Sequence, residues 1–198
     1  MNKKIHPAKI KKGDIVLTGV DSFRDSWPIK IGNILHGRLD AIKWTHAAMS
    51  LGGLEIVESI PNPGVIIRNI QNTYIDQGID VLVLRCKSLL PERLGEAADY
   101  CVSKIKESSK YDPKALIYFV LHFINPWGIG RLIDRAVIWN KFFDTYINEE
   151  DSYFCSELIA EAFQEVGLEH MKKRKPWQVM PVDFYDTKVF DRIDDVWA

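Results

Sequence analysis

Short apolar runs bounded by glycine and polar residues mark strands through the first half of the chain, and apolar positions recur at helical spacing in parts of the second. Gly13-Asp14 opens a short strand over 15–18, behind a polar, lysine-rich lead. Residues 21–37 read as a loop and a short helix, with Pro28 suited to a first helical position. Two strands follow, 45–51 and 54–60. They are joined by Gly52-Gly53, a pair that tolerates the positive φ of a tight hairpin turn. Residues 65–70 and 79–85 add two more, so the chain up to Arg85 predicts a mostly antiparallel sheet. Beyond it, Pro91 can start a helix on which Leu94, Ala97, Ala98, Cys101 and Ile105 share one face. Residues 110–148 suggest two helices around a turn at Asn125-Pro126-Trp127-Gly128. A further amphipathic helix over 154–166 carries Cys155, Leu158, Ile159, Ala162, Phe163 and Val166 on one face and Glu157, Glu161 and Glu165 on the other, with Gly167 as its C-cap. Residues 172–175 form a basic turn, and 188–193 can return a last strand to the sheet.

This pattern fits one domain over residues 1–198, a length that buries a sizeable core at 46% apolar content. A formal charge of -1 carries no excess that would point to nucleic acid. The lysine-rich start lacks an apolar stretch that could serve in export, and the longest apolar run, 115–124, is about half of the ~20 residues that span a bilayer. The expectation is a cytoplasmic chain without a transmembrane segment. Three cysteines, with no CxxC pair, fit reduced thiols better than a disulfide framework or a zinc ribbon. No HExxH or GxxxxGK[ST] pattern is present, so neither a metal nor a cofactor is expected.

Candidate chemistry narrows to a few residues. Cys155 falls at the start of a helix, where backbone N–H groups and the helix dipole favour an anionic sulfur. The bland alternative is a small buried residue, which is the expectation for Cys86 and Cys101. A thiol nucleophile needs a base, and the base needs a third group to orient it. Of the five histidines, His6 lies in the lead, His36 in a loop, His122 in an apolar helix and His170 in a charged turn. His46 lies near the start of a hairpin strand. If the hairpin is centred on Gly52, Glu58 faces His46 across the ladder and can orient it; Glu55 then lies nearer the turn as a surface carboxylate. Such a pair is equally compatible with a structural polar contact.

Four segments, Gly13-Asp14-Ile15-Val16, Trp44-Thr45-His46-Ala47-Ala48, Val57-Glu58-Ser59 and Tyr153-Phe154-Cys155-Ser156-Glu157-Leu158, give the chain a resemblance to the circularly permuted, YiiX-like branch of the NlpC/P60 papain-like superfamily. The order of the segments is reversed relative to the ordinary enzymes. The resemblance implies an α+β papain-like fold with a small antiparallel sheet packed against helices, Cys155 as nucleophile, His46 as base and Glu58 as third polar residue. It also implies hydrolysis of an amide bond in a small peptide or cell-wall-derived fragment. Tyr153 and Trp44 are its candidate substrate-binding residues; the backbone N–H of Cys155 is a first oxyanion donor and Tyr153 a candidate second. Permuted relatives also include lecithin:retinol acyltransferase-like enzymes, so transfer or hydrolysis of a lipid acyl chain is the alternative, although their Asn-Cys-Glu-His signature is not matched around Cys155. A non-catalytic binding module is a third reading. The aromatic stretch 118–139 is expected to line the substrate pocket.

Overall fold

The computed structural model describes residues 6–19, 42–106, 153–172, 174–185 and 188–193. The helices expected within 21–37 and 110–148, the aromatic stretch 118–139, His36 and His122 lie outside these residues.

Stretches rich in Ile, Val and Leu bury their backbone polar groups by pairing with one another. Among the described residues they form a six-stranded antiparallel sheet of β1 (Ile15–Gly19), β2 (His46–Gly52), β3 (Glu55–Ile60), β4 (Gly64–Asn69), β5 (Asp80–Cys86) and β6 (Phe190–Arg192). The spatial order is β4-β3-β2-β1-β5-β6. Among the described residues, α1 (Pro91–Lys106), α2 (Cys155–Glu165) and a short α3 (Glu169–Lys172) join this sheet in an α+β architecture.

Period-two alternation sorts the sheet into two faces. Ile15, Leu17, Ala47, Met49 and Val57 meet Leu94, Ala97, Ala98 and Cys101 of α1 and Leu158, Ile159, Ala162 and Phe163 of α2. Val16, Ala48, Ile56 and Val83 point the other way, against Ile10, Ile70, Tyr74 and Ile75. Burying an aliphatic or aromatic side chain of this size is worth roughly 1.5–3 kcal/mol each, so the two faces together supply the main driving force for the fold.

Gly13-Asp14 has a structural explanation. Gly13 has φ +87°, and a Cβ there would sit 2.4 Å from the backbone carbonyl oxygen of Leu94 on α1. Asp14 is fully buried, and its carboxylate accepts hydrogen bonds from the Arg85 guanidinium, 2.7 Å to each oxygen, and from the Lys11 N–H at 2.8 Å. Gly13→Ala combines left-handed backbone strain with a backbone clash, and is expected to cost at least about 2 kcal/mol. Urea denaturation checks this; an unchanged midpoint would show that α1 can shift to make room.

Two details depart from the sequence expectation. The hairpin is not centred on Gly52: Met49 pairs with Val57 and Ser50 with Ile56, but Gly52 pairs with Glu55, so Leu51 is an extra residue in β2 and the turn falls at Gly53-Leu54. The polar face expected on α2 is also partly covered. Glu157 is buried because its carboxylate turns back to accept the Phe154 N–H at 3.2 Å, and the Tyr100 hydroxyl of α1 donates to Glu161. The end of α2 follows expectation: Gly167 at φ +87° lets the Leu168 N–H reach the Phe163 carbonyl at 2.9 Å.

Candidate active site

His46 is the first residue of β2 and Glu58 lies near the end of β3, so both stand at the open end of the hairpin, away from its turn. The turn at Gly53-Leu54 and the bulge at Leu51 together leave the register two residues from the symmetric expectation, and the two side chains meet as diagonal neighbours rather than direct partners. A two-residue shift preserves the face. His46 Nε2 therefore still lies 2.5 Å from Glu58 Oε2.

The same end of the hairpin holds the start of α2. Ser59, next to Glu58 but pointing to the opposite face, donates its hydroxyl to the Tyr153 carbonyl at 2.6 Å. Ser156 donates to the Val179 carbonyl at 2.6 Å, tying the first helical turn to the segment that follows α3. Phe154 is the N-cap in extended conformation, Cys155 opens the helix, and the Phe154 N–H is taken by Glu157. The next N–H groups of the first turn lack intrahelical acceptors and are suited to receive negative charge. Cys155 is buried at this point, and its sulfur acts on His46 through charge and hydrogen bonding. Nε2 of the ring is engaged by Glu58.

Electrostatics follow from this arrangement. Burial alone would lower the His46 pKa, but the charge and hydrogen bonding of the Cys155 sulfur, followed by those of Glu58, push it up to about 10. Burial would raise Glu58, but hydrogen bonding to His46, the His46 charge, the Tyr74 hydroxyl and the Arg68 guanidinium together hold it below the ordinary carboxylate range. The geometry thus favours an imidazolium held between a carboxylate and a sulfur.

Sequence reading did not single out Tyr74 or Arg68. The Tyr74 hydroxyl donates to the same Oε2 of Glu58 at 2.5 Å, and Arg68 Nε lies 3.5 Å from Oε1. Arg68 shares the outward face of β4 with Ile66, the partner of Glu58, so the strand pattern could have placed it. No periodicity marks Tyr74. The other candidates sit further off. Tyr153 is buried with its ring 5.6 Å from Lys104 Nζ, and its hydroxyl interacts with Lys104 and Tyr100 on α1, so the second oxyanion donor guessed there is directed toward α1. Trp44 is buried among the core residues on the helix side of the sheet, with Lys43 Nζ 4.6 Å above its ring. Glu55 is exposed beside the turn. Cys86 and Cys101 are buried, and burial pushes the Cys101 thiol well above its ordinary value.

Among the described residues no group of three or more His, Cys, Asp and Glu could hold a metal ion, and no helix is long and apolar enough to cross a membrane. Comparison with protein-family models, curated proteins and solved structures finds no match to the chain.

Proposed function

We propose that the chain is a cysteine-dependent amide hydrolase with a circularly permuted, NlpC/P60-type papain-like fold, acting on a small peptide or cell-wall-derived fragment. The observation that carries this reading is one imidazole engaged twice: by Glu58 on Nε2 at 2.5 Å, and by the charge and hydrogen bonding of the Cys155 sulfur, which stands at the start of a helix. A structural polar pair would account for His46 and Glu58. It would not require a thiol against the ring.

In this mechanism the sulfur of Cys155 attacks the amide carbonyl, and the oxyanion is received by the backbone N–H of Cys155. His46 gives its proton to the departing amine as the carbon–nitrogen bond breaks, leaving a thioester on Cys155. Water then attacks the thioester while His46 takes its proton, and the sulfur leaves with the acid released. Glu58 keeps the ring oriented and offsets its positive charge throughout. No cofactor is required by these steps.

Trapping the acyl group on Cys155 tests the reading. Incubation with matched short peptide amides and fatty acyl esters, followed by mass spectrometry of the intact protein, is expected to give a peptidyl or aminoacyl adduct on Cys155. A fatty acyl adduct would replace the amidase reading with acyl transfer. Affinity should then climb about fourfold per methylene, since each buried CH₂ is worth about 0.8 kcal/mol.

A further inference from the structure

Tyr74 is buried on the five-residue helical turn Gln71–Ile75 that follows β4, and it packs near the His46 ring with centroids 6.2 Å apart. The turn is itself held. Asn69 Oδ1 accepts from the N–H groups of Gln71 at 3.0 Å and Asn72 at 3.2 Å, the Ile79 N–H bonds the Tyr74 carbonyl at 3.0 Å, and Ile70 and Ile75 are buried. The phenol is therefore mounted on a fixed support.

An ionised carboxylate only accepts hydrogen bonds. Two groups meet the same oxygen of Glu58, Tyr74 Oη at 2.5 Å and His46 Nε2 at 2.5 Å, so both must donate. Burial, then the charge of Glu58, pushes the Tyr74 phenol far above its ordinary range, which keeps it a donor at every working pH. Glu58 is fully buried. Among the described residues Arg68 also faces it, 3.5 Å from Oε1, and Cys155 acts on both His46 and Tyr74. A carboxylate with one ring donor could swing about its side-chain torsions. With two donors fixed on β2 and on the Gln71–Ile75 turn, Oε2 has one place to be.

We infer that Tyr74 is a positioning residue, whose hydroxyl shares Oε2 of Glu58 with His46 and so fixes the imidazole with its Nε2 proton toward Glu58. The role rests on the catalytic reading of Cys155 and His46. It extends the site from three residues to four and places part of its precision in a turn remote from the nucleophile helix.

Tyr74→Phe keeps the ring and removes only the donor. Two measurements that need no substrate read the effect: the Glu58 carboxyl titration by ¹³C NMR, assigned with Glu58→Gln, and the rate at which iodoacetamide alkylates Cys155 at neutral pH. In the variant Glu58 should titrate at higher pH than in the wild type, and Cys155 alkylation should slow roughly 10-fold, the scale of one lost hydrogen bond to a charged group. In a Glu58→Gln background, Tyr74→Phe should slow alkylation no further. An unchanged alkylation rate would overturn the positioning role even if the melting temperature falls. If Tyr74→Phe does not fold, 3-fluorotyrosine at position 74 has nearly the same shape and is a stronger donor. Glu58 should then titrate lower, and an unmoved Glu58 overturns the proposal. The catalytic reading is controlled separately by the wild type, where Cys155 should be alkylated before Cys86 and Cys101. Equal labelling of the three would defeat that reading first, and the positioning role with it.

Discussion

Replacing His46 with alanine is expected to lower kcat/KM on an amide substrate by between about 10²- and 10⁴-fold, the range that a positioned general acid–base contributes. Cys155→Ala is expected to leave no turnover above background, because the covalent step has no other nucleophile. The two changes should not add: in the double variant, loss of the base is invisible once the sulfur is gone. Glu58→Gln should cost less than loss of the nucleophile. The amide oxygen can still accept from Nε2, but it no longer offsets the charge on the ring. Circular dichroism and thermal unfolding of each variant separate chemistry from folding, since Cys155 and Glu58 are buried. Full activity in a folded His46→Ala protein would overturn the mechanism.

How much of this was legible in the sequence depends on which physical signal carried it. Short apolar runs bounded by turn residues placed β1 to β5 to within a residue or so, because each of these strands buries apolar side chains against neighbouring elements. The Gly52-Gly53 pair located the hairpin, and both glycines have positive φ. The extra residue at Leu51 left no such signal. A bulge is decided by how the strand fits its partner, and the register came out two residues from the symmetric expectation. The His46–Glu58 contact survived that error because side-chain direction repeats every two residues. For Cys155 the helix start was readable from the spacing of Leu158, Ile159, Ala162 and Phe163, all fully buried on α2. Its closeness to the imidazole was not, since residues 46 and 155 meet only through tertiary packing. Tyr74 is the clearest miss. It lies in a polar stretch, Asn72-Thr73-Tyr74, with no periodicity, and reaches Glu58 because the Gln71–Ile75 turn folds over the outer face of the sheet.

The ionisation of His46 gives the largest effect outside turnover. An imidazole ordinarily titrates near 6.5, whereas here it is pushed up to about 10, with burial working against the charge and the Cys155 sulfur and Glu58 outweighing it. The sulfur is the larger of the two raising influences, so Cys155→Ala should drop the His46 titration well below about 10 while Glu58 still holds the ring. The same shift sets a stability window. Because the folded pKa of His46 lies above the unfolded one, its contribution is complete below about 6.5 and is lost as pH rises toward about 10. Glu58 is shifted the opposite way, so its contribution is present above the ordinary carboxylate value of 4.5 and is lost as pH falls. Between those limits the pair stabilises the fold most. Thermal unfolding across pH should therefore decline on the alkaline side in the wild type, and more shallowly in Cys155→Ala. NMR of the ring Cε1–Hε1 resonance, assigned with His46→Gln, reads the titration directly. A wild-type His46 that titrates near 6.5 and does not respond to Cys155→Ala would mean that ring and sulfur are not coupled in solution, and the contact at the centre of the mechanism would be lost.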